Sequence, residues 1–285
     1  MSKLTAIGNR IDDRLAHGMA RTMLRRFFAP DPAPAAVRMD ISSMAGRRRI
    51  LQHLIADAGV RHVGIASDKS YFRVRHAVID GLSIEDDPDS TWKLMLTVRS
   101  INLSQKKGFS PDAIEIPEVV GVAGDHVVAR MFQRGGMDTE KDVAHMFRAC
   151  GGWMLAARDA GDPAPFYIPR PQGLVCVRME RMDVVRNAEA TDGSPARTDS
   201  FHIPSLSTFI DTDSFAERTR RIWTELSDMG GMTDPFPFPA LGKPTSAALA
   251  ILERSRELGR TWLSANGMEL EENLLPRRGD ETLEP

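Results

Sequence analysis

His126, Arg130 and Arg134 stand at i, i+4 and i+8 in the stretch GDHVVARMFQR, residues 124–134. On a helix this spacing projects all three from nearly one face. A histidine that titrates near neutrality can take or give a proton. Two guanidinium forks match the oxygens of phosphate groups. Together they suit a polyanionic ligand, with one group to move a proton and two to hold charge. Asp125 is placed to cap the helix, and Val128, Met131 and Phe132 point away from the triad, toward a core. The plainer alternative is a solvated helix face that carries a histidine, since a single short pattern is weak evidence of a site.

Other polar groups fall on strand-like stretches. Tyr167 lies in PFYIP. His202, Ser207 and Thr208 lie in SFHIPSLSTFID, residues 200–211. His202 and Thr208 are an even number of residues apart, which places them on one strand face unless a bulge intervenes, and Pro204 is a natural place for one. His145 is a further proton carrier. His76 alternates with Phe72, Val74 and Val78 and reads as a half-buried structural histidine.

Composition narrows the chemistry. The chain has 285 residues, a net charge of −2 and 42% hydrophobic residues, so it can bury a full core, and any nucleic-acid binding must come from a local patch. Cys150 and Cys176 form no CxxC pair and read as reduced core thiols, with no disulfide framework and no zinc site. No HExxH, P-loop, GxGxxG or GxSxG pattern occurs. The expectation is therefore no metal and no cofactor. No apolar run is long enough for a membrane span or a signal h-region, so the expectation is a cytoplasmic protein with no membrane partner.

The elements that must position these groups follow from periodicity. Residues 4–28 carry apolar side chains at helical spacing, including Leu4, Ile7, Ile11, Leu15, Met19, Met23 and Phe27, with arginines elsewhere. APDPAPA, residues 29–35, breaks that helix. A strand at 36–41, a helix over 44–58 and strands at 61–67, 71–80 and 92–103 follow. Residues 106–124 read as a loop with a short extended piece at 113–116. Two helices come next, the second over 139–159 and weakened in its middle by Gly151 and Gly152. Strands near 165–169, 171–180 and 200–211 form an antiparallel meander around a polar hairpin at 187–200. A capped helix over 212–229, a Gly/Pro connector, a helix over 246–265 and an acidic tail complete the chain. The fold class is α+β: an N-terminal helix and small α/β layer, then two helices packed on an antiparallel β-meander, with C-terminal helices. The predicted domains are 1–115, an α/β region; 116–230, an α+β domain carrying the site; and 231–285, a connector, helix and tail.

The order of the central parts carries a resemblance. A helix with H-x3-R-x3-R, a second helix, a strand with Tyr167, a GLVCV strand, a polar hairpin and a strand with Ser207-Thr208-Phe209 together resemble small toxin-type domains of the barnase–EndoU–colicin–RelE ribonuclease superfamily. The likeness covers about residues 120–225. It implies that His126, Arg130, Arg134 and Thr208 are catalytic and that Tyr167 and Ser207 touch substrate; His202, by its even spacing from Thr208, is read as a further substrate contact and alternative proton carrier. One departure is that Val127 stands where the family has Ala after the histidine. The R-x4-H spacing of Arg48 and His53 also resembles the HEPN ribonuclease motif, but that fold is all-helical and strands flank this helix. The expected function is metal-independent RNA cleavage by a bacterial toxin or defence effector, with RNA and a protein inhibitor as partners. The alternative is a non-catalytic nucleic-acid-binding or scaffold protein of a mobile element or phage, whose arginines only hold phosphate. His126, Arg134 and Thr208 are expected to line one cleft.

Overall fold

Seven strands form one mixed sheet in the order β1-β2-β3-β4-β7-β6-β5. The computed structural model describes residues 11–28, 43–57, 62–67, 73–82, 93–102, 118–186, 197–236, 238–239 and 244–266. In chain order the elements are α1 (Asp13–Phe28), α2 (Met44–Asp57), β1 (His62–Ser67), β2 (Arg73–Leu82), β3 (Lys93–Asn102), β4 (Glu118–Gly124), α3 (Asp125–Arg134), α4 (Glu140–Ala160), β5 (Phe166–Arg170), β6 (Gly173–Arg186), β7 (Arg197–Asp211), α5 (Glu217–Asp228) and α6 (Ser246–Ala265), with a short 3-10 turn at Thr212–Ser214. The α+β class holds, and so does the antiparallel meander β5-β6-β7. The expected strand at 36–41 and extended piece at 113–116 lie outside the described residues, as do the residues before Ile11 and after Asn266.

The domain division at 115/116 is corrected by the sheet itself. β3 pairs with β4 across that boundary, and β4 pairs in parallel with β7. One apolar cluster runs from Ala16 and Phe27 of α1 through Leu94 of β3 to Leu252 of α6, so the three predicted parts share a core. The stretch expected to be loop up to residue 124 contains β4, a central strand. Gly121 lets this strand and α4 approach, since a Cβ there would lie 2.5 Å from the Met154 sulfur and 2.8 Å from the Pro204 carbonyl oxygen.

α1 buries Ala16, Ala20, Met23, Leu24 and Phe27, an i, i+4, i+7, i+8, i+11 stripe. Leu15, expected in that stripe, is 58% exposed, because the buried line runs through the alanines beside it. α4 is one continuous helix of 21 residues, closed at its start by a Thr139–Asp142 capping box and at its end by Gly161 in the left-handed region. Gly151 and Gly152 do not divide it. They open a notch that Phe236 and Phe238 enter, with the Phe238 ring 2.7 Å from a Cβ built at Gly151 and the Phe236 carbonyl oxygen against Gly152. Trp153 beside them is fully buried and meets Phe236 edge-on, with ring centroids 5.1 Å apart.

Strand register fixes which side chains share a face. In β6 and β7, Cys176 stands opposite Thr208, but Val177 stands opposite Leu206, so β7 carries a bulge at Ser207. The Ser207 hydroxyl donates to the Cys176 carbonyl at 3.0 Å and fixes that bulge. One face, bearing Ala77, Ile79, Leu94, Leu96, Val175 and Phe209, packs in the main core beneath α1, α3 and α4. The other face carries a charged network. Lys93 of β3 reaches Glu180 of β6 at 2.8 Å, and Arg178 donates to the same carboxylate at 2.6 Å. Burial raises the Glu180 pKa, but Lys93, Arg178 and the Ser205 hydroxyl outweigh it and hold the group below its usual value. At the outer edge, the Ser255 hydroxyl of α6 accepts from the Tyr167 backbone N–H and donates to the Tyr167 carbonyl, both at 2.7 Å.

Candidate functional site

β4 passes straight into α3 with Gly124 as the N-cap, extended at φ −79 and ψ 171. Asp125 is therefore the first helical residue and not the cap, because no loop separates strand from helix; its charge still suits the positive end of the helix. Val127, Val128, Ala129, Met131 and Phe132 are buried, which turns His126 outward and leaves Arg130 and Arg134 half-buried. The H-x3-R-x3-R row thus exists as a helix face.

That face meets α1. The rings of His17 and His126 lie 6.1 Å apart between centroids, tilted by 41°. One turn away, Arg130 lies 3.5 Å from the Asp13 carboxylate and donates to the Gln133 side-chain oxygen at 2.5 Å. Asp13 also stands 3.9 Å from His17 Nε2. The cluster is thus two imidazoles, one guanidinium and one carboxylate drawn from two helices that cross antiparallel, since residue 17 meets 126 and residue 13 meets 130.

The His126 pKa falls below its ordinary 6.5. Partial desolvation is the main cause; the Arg130 and His17 charges add to it, while Asp125 and Asp13 oppose it. The shift favours the neutral, proton-accepting ring. In an NMR titration its ring should show a midpoint below 6.5. Arg130→Gln should move that midpoint upward, because it removes a charge that disfavours the protonated ring. A midpoint at or above 6.5 in the wild type, or no upward movement in the variant, would contradict this reading of the cluster.

The remaining expected site residues are not at this cluster. A Cβ at Gly135, at the end of α3, would lie 3.4 Å from the Phe209 ring, so α3 sits on the Phe209 side of β7. Thr208 precedes Phe209 in the strand and points to the opposite side. It forms a row with Cys176 and Tyr167 through the pairings Tyr167↔Cys176 and Cys176↔Thr208. The expected common cleft of His126, Arg134 and Thr208 is therefore corrected: the sheet lies between them. Tyr167 is buried beside Cys176 and its hydroxyl pKa is raised, chiefly by burial; burial pushes the Cys176 thiol up to about 12. Ser207 is held in the bulge. His202 lies before the bulge, opposite Arg181, and so faces away from the Thr208 side. His145 is exposed on α4, and His76 is buried at 7% exposure, deeper than its alternation suggested.

His17 and Asp13 were not singled out from the sequence, although a signal for His17 exists there. His17, Ala20, Arg21 and Arg25 repeat the spacing of His126, Ala129, Arg130 and Arg134. Among the described residues, no three His, Cys, Asp or Glu groups converge to hold a metal ion, and no helix is long and apolar enough to cross a membrane. No family model matches the chain, and neither a curated protein nor a solved structure does.

Proposed function

We propose that the α1–α3 cluster recognises the phosphodiester backbone of RNA and cleaves it without a metal. The observation that carries this reading is the apposition of two imidazoles 6.1 Å apart, with Arg130 one turn from His126. Cleavage of RNA by its own 2′-OH needs a base to take the hydroxyl proton, an acid to protonate the departing 5′-oxygen and a cation for the charge that builds on phosphorus. His126, with its lowered pKa, is the base. His17 is the second imidazole within reach of the same phosphodiester and serves as the acid. Arg130 pairs with the non-bridging oxygens, in place of Asp13. Thr208 and Tyr167 have no part in this reaction, so the chemistry rests on the helices and not on the strand hydroxyl that the ribonuclease resemblance implied. In a bacterial host such an activity would be that of a toxin or defence effector.

A second reading, nucleic-acid binding without cleavage, is favoured by one observation: Thr208, the strand hydroxyl of the resemblance, lies on the sheet face away from the histidine pair. The deciding experiment is induction of the wild type and of His126→Ala in a bacterial host, with growth and total RNA followed together. Fragmented RNA and arrested growth with the wild type alone, at equal soluble expression, support cleavage. Intact RNA in both, together with salt-dependent RNA binding by the purified protein, supports the binding reading.

A further inference from the structure

The motif that opens α3 also lies in α1. His17-Gly-Met-Ala20-Arg21-Thr-Met-Leu-Arg25 matches His126-Val-Val-Ala129-Arg130-Met-Phe-Gln-Arg134 at the histidine, the alanine and both arginines. Ala20 and Ala129 are both buried, at 0% and 1% exposure. Each motif helix is followed by a second helix, a short strand and two long strands. In the sheet the two meanders run in opposite order, β1-β2-β3 and then β7-β6-β5, on either side of β4. Because β3 is antiparallel to β4 and β4 is parallel to β7, the two meanders also run in opposite directions. A two-fold axis normal to the sheet produces this arrangement. On such an axis a residue meets its own equivalent, and His17 meets His126.

We infer that the chain is a tandem duplication of one ααβββ unit, and that α1 supplies the second half of the phosphate site, so that its ligand is a polyanionic strand engaging Arg21 and Arg130 on opposite sides of the histidine pair. The inference rests on the reading of this cluster as a phosphate site, and it deepens that reading by specifying the ligand. Arg21 lies one turn beyond His17 in one direction. Arg130 lies one turn beyond His126 in the other, because the helices cross antiparallel. Eight residues of helical rise set the two guanidinium groups roughly 12 Å apart along the groove. A mononucleotide phosphate cannot engage both, whereas a strand of several nucleotides can. Arg21 is exposed. Arg130 holds the Asp13 carboxylate at 3.5 Å, and an entering phosphate takes that carboxylate's place.

The test uses the full chain with both His17→Ala and His126→Ala, so that the probe survives, and measures binding of fluorescein-labelled oligouridylates of two and twelve nucleotides by anisotropy. The twelve-mer is expected to bind at least about tenfold more tightly than the dinucleotide. Arg21→Gln and Arg130→Gln in this background should each weaken twelve-mer binding to a similar degree. Each should also flatten the salt dependence by about 0.7 in slope. Asp13→Asn should tighten binding. If Arg21→Gln leaves the affinity and the salt slope unchanged while Arg130→Gln lowers both, the two-half site is overturned. Equal affinity for the two lengths, or no binding by either, overturns it as well. Loss of cleavage in the wild type with these binding results intact would count against the nuclease reading alone. Unchanged melting temperatures of the arginine variants exclude misfolding as the cause.

Discussion

Gly152→Ala should destabilise the protein by about 2 kcal/mol or more, although alanine is the better helix former. In an open helix the substitution gains about 1 kcal/mol, because glycine loses more backbone entropy on folding. Here the added methyl would overlap the Phe236 carbonyl oxygen, a backbone atom with no rotamer to escape through. Overpacking of this kind costs about 1–3 kcal/mol and more where backbone must move. The residue that would be pushed away, Phe236, is 5% exposed and meets the fully buried Trp153 edge-on. Thermal melts should show a fall of about 4–8 °C. Gly18→Ala serves as the contrast: it is helical, exposed and has nothing within 4 Å of its Cβ position, so it should gain about 0.5–1 kcal/mol. A stabilised Gly152→Ala would mean that Phe236 does not lie in the α4 notch.

Removing either histidine of the pair is expected to cut RNA cleavage by about 10²–10⁴-fold, the range in which a positioned acid or base contributes. The informative quantity is the double variant. If His17 and His126 act on one phosphodiester as acid and base, losing the second after the first should cost at most about tenfold more, because groups that act as a unit are strongly non-additive. Independent contributions to binding would instead multiply, and each would be small. His126 is exposed and His17 half-exposed, so truncation of either leaves no core cavity. Single-turnover cleavage of a short labelled RNA, with melting curves of all four proteins, separates these outcomes. Effects under about fivefold that multiply would remove the pair from the chemistry.

Much of the architecture was legible because periodicity is a direct consequence of burial. The α4 face and the β2 alternation were read from apolar spacing alone, and α6 was placed within a residue. β4 lies in a stretch that reads as loop, and its Gly121 admits Met154 and the Pro204 carbonyl. Local sequence does not encode what another element brings to a strand. The candidate site failed in a different way. Parity sets His202 on the Thr208 face, and one extra residue at Ser207 reverses that parity. The helix row of His126 and Arg130 survived because its geometry is set within two turns. Its partner His17, 109 residues earlier, was visible only as a repeat of the motif, and that comparison requires setting the chain against itself.

The hydroxyl of Ser255 closes a row of backbone groups that would otherwise face outward along β5. An open strand border is a template on which a second chain can add, and proteins that leave one exposed are prone to polymerise. Here a helix from the far end of the sequence stands guard over it, with Gly259 bringing that helix against the Pro165 carbonyl and Arg256 donating to the Ala157 carbonyl at 2.9 Å. Proteolytic loss of α6 would therefore do more than trim a terminus. It would turn a capped sheet edge into a sticky margin, and the first sign of damage would be self-association before unfolding.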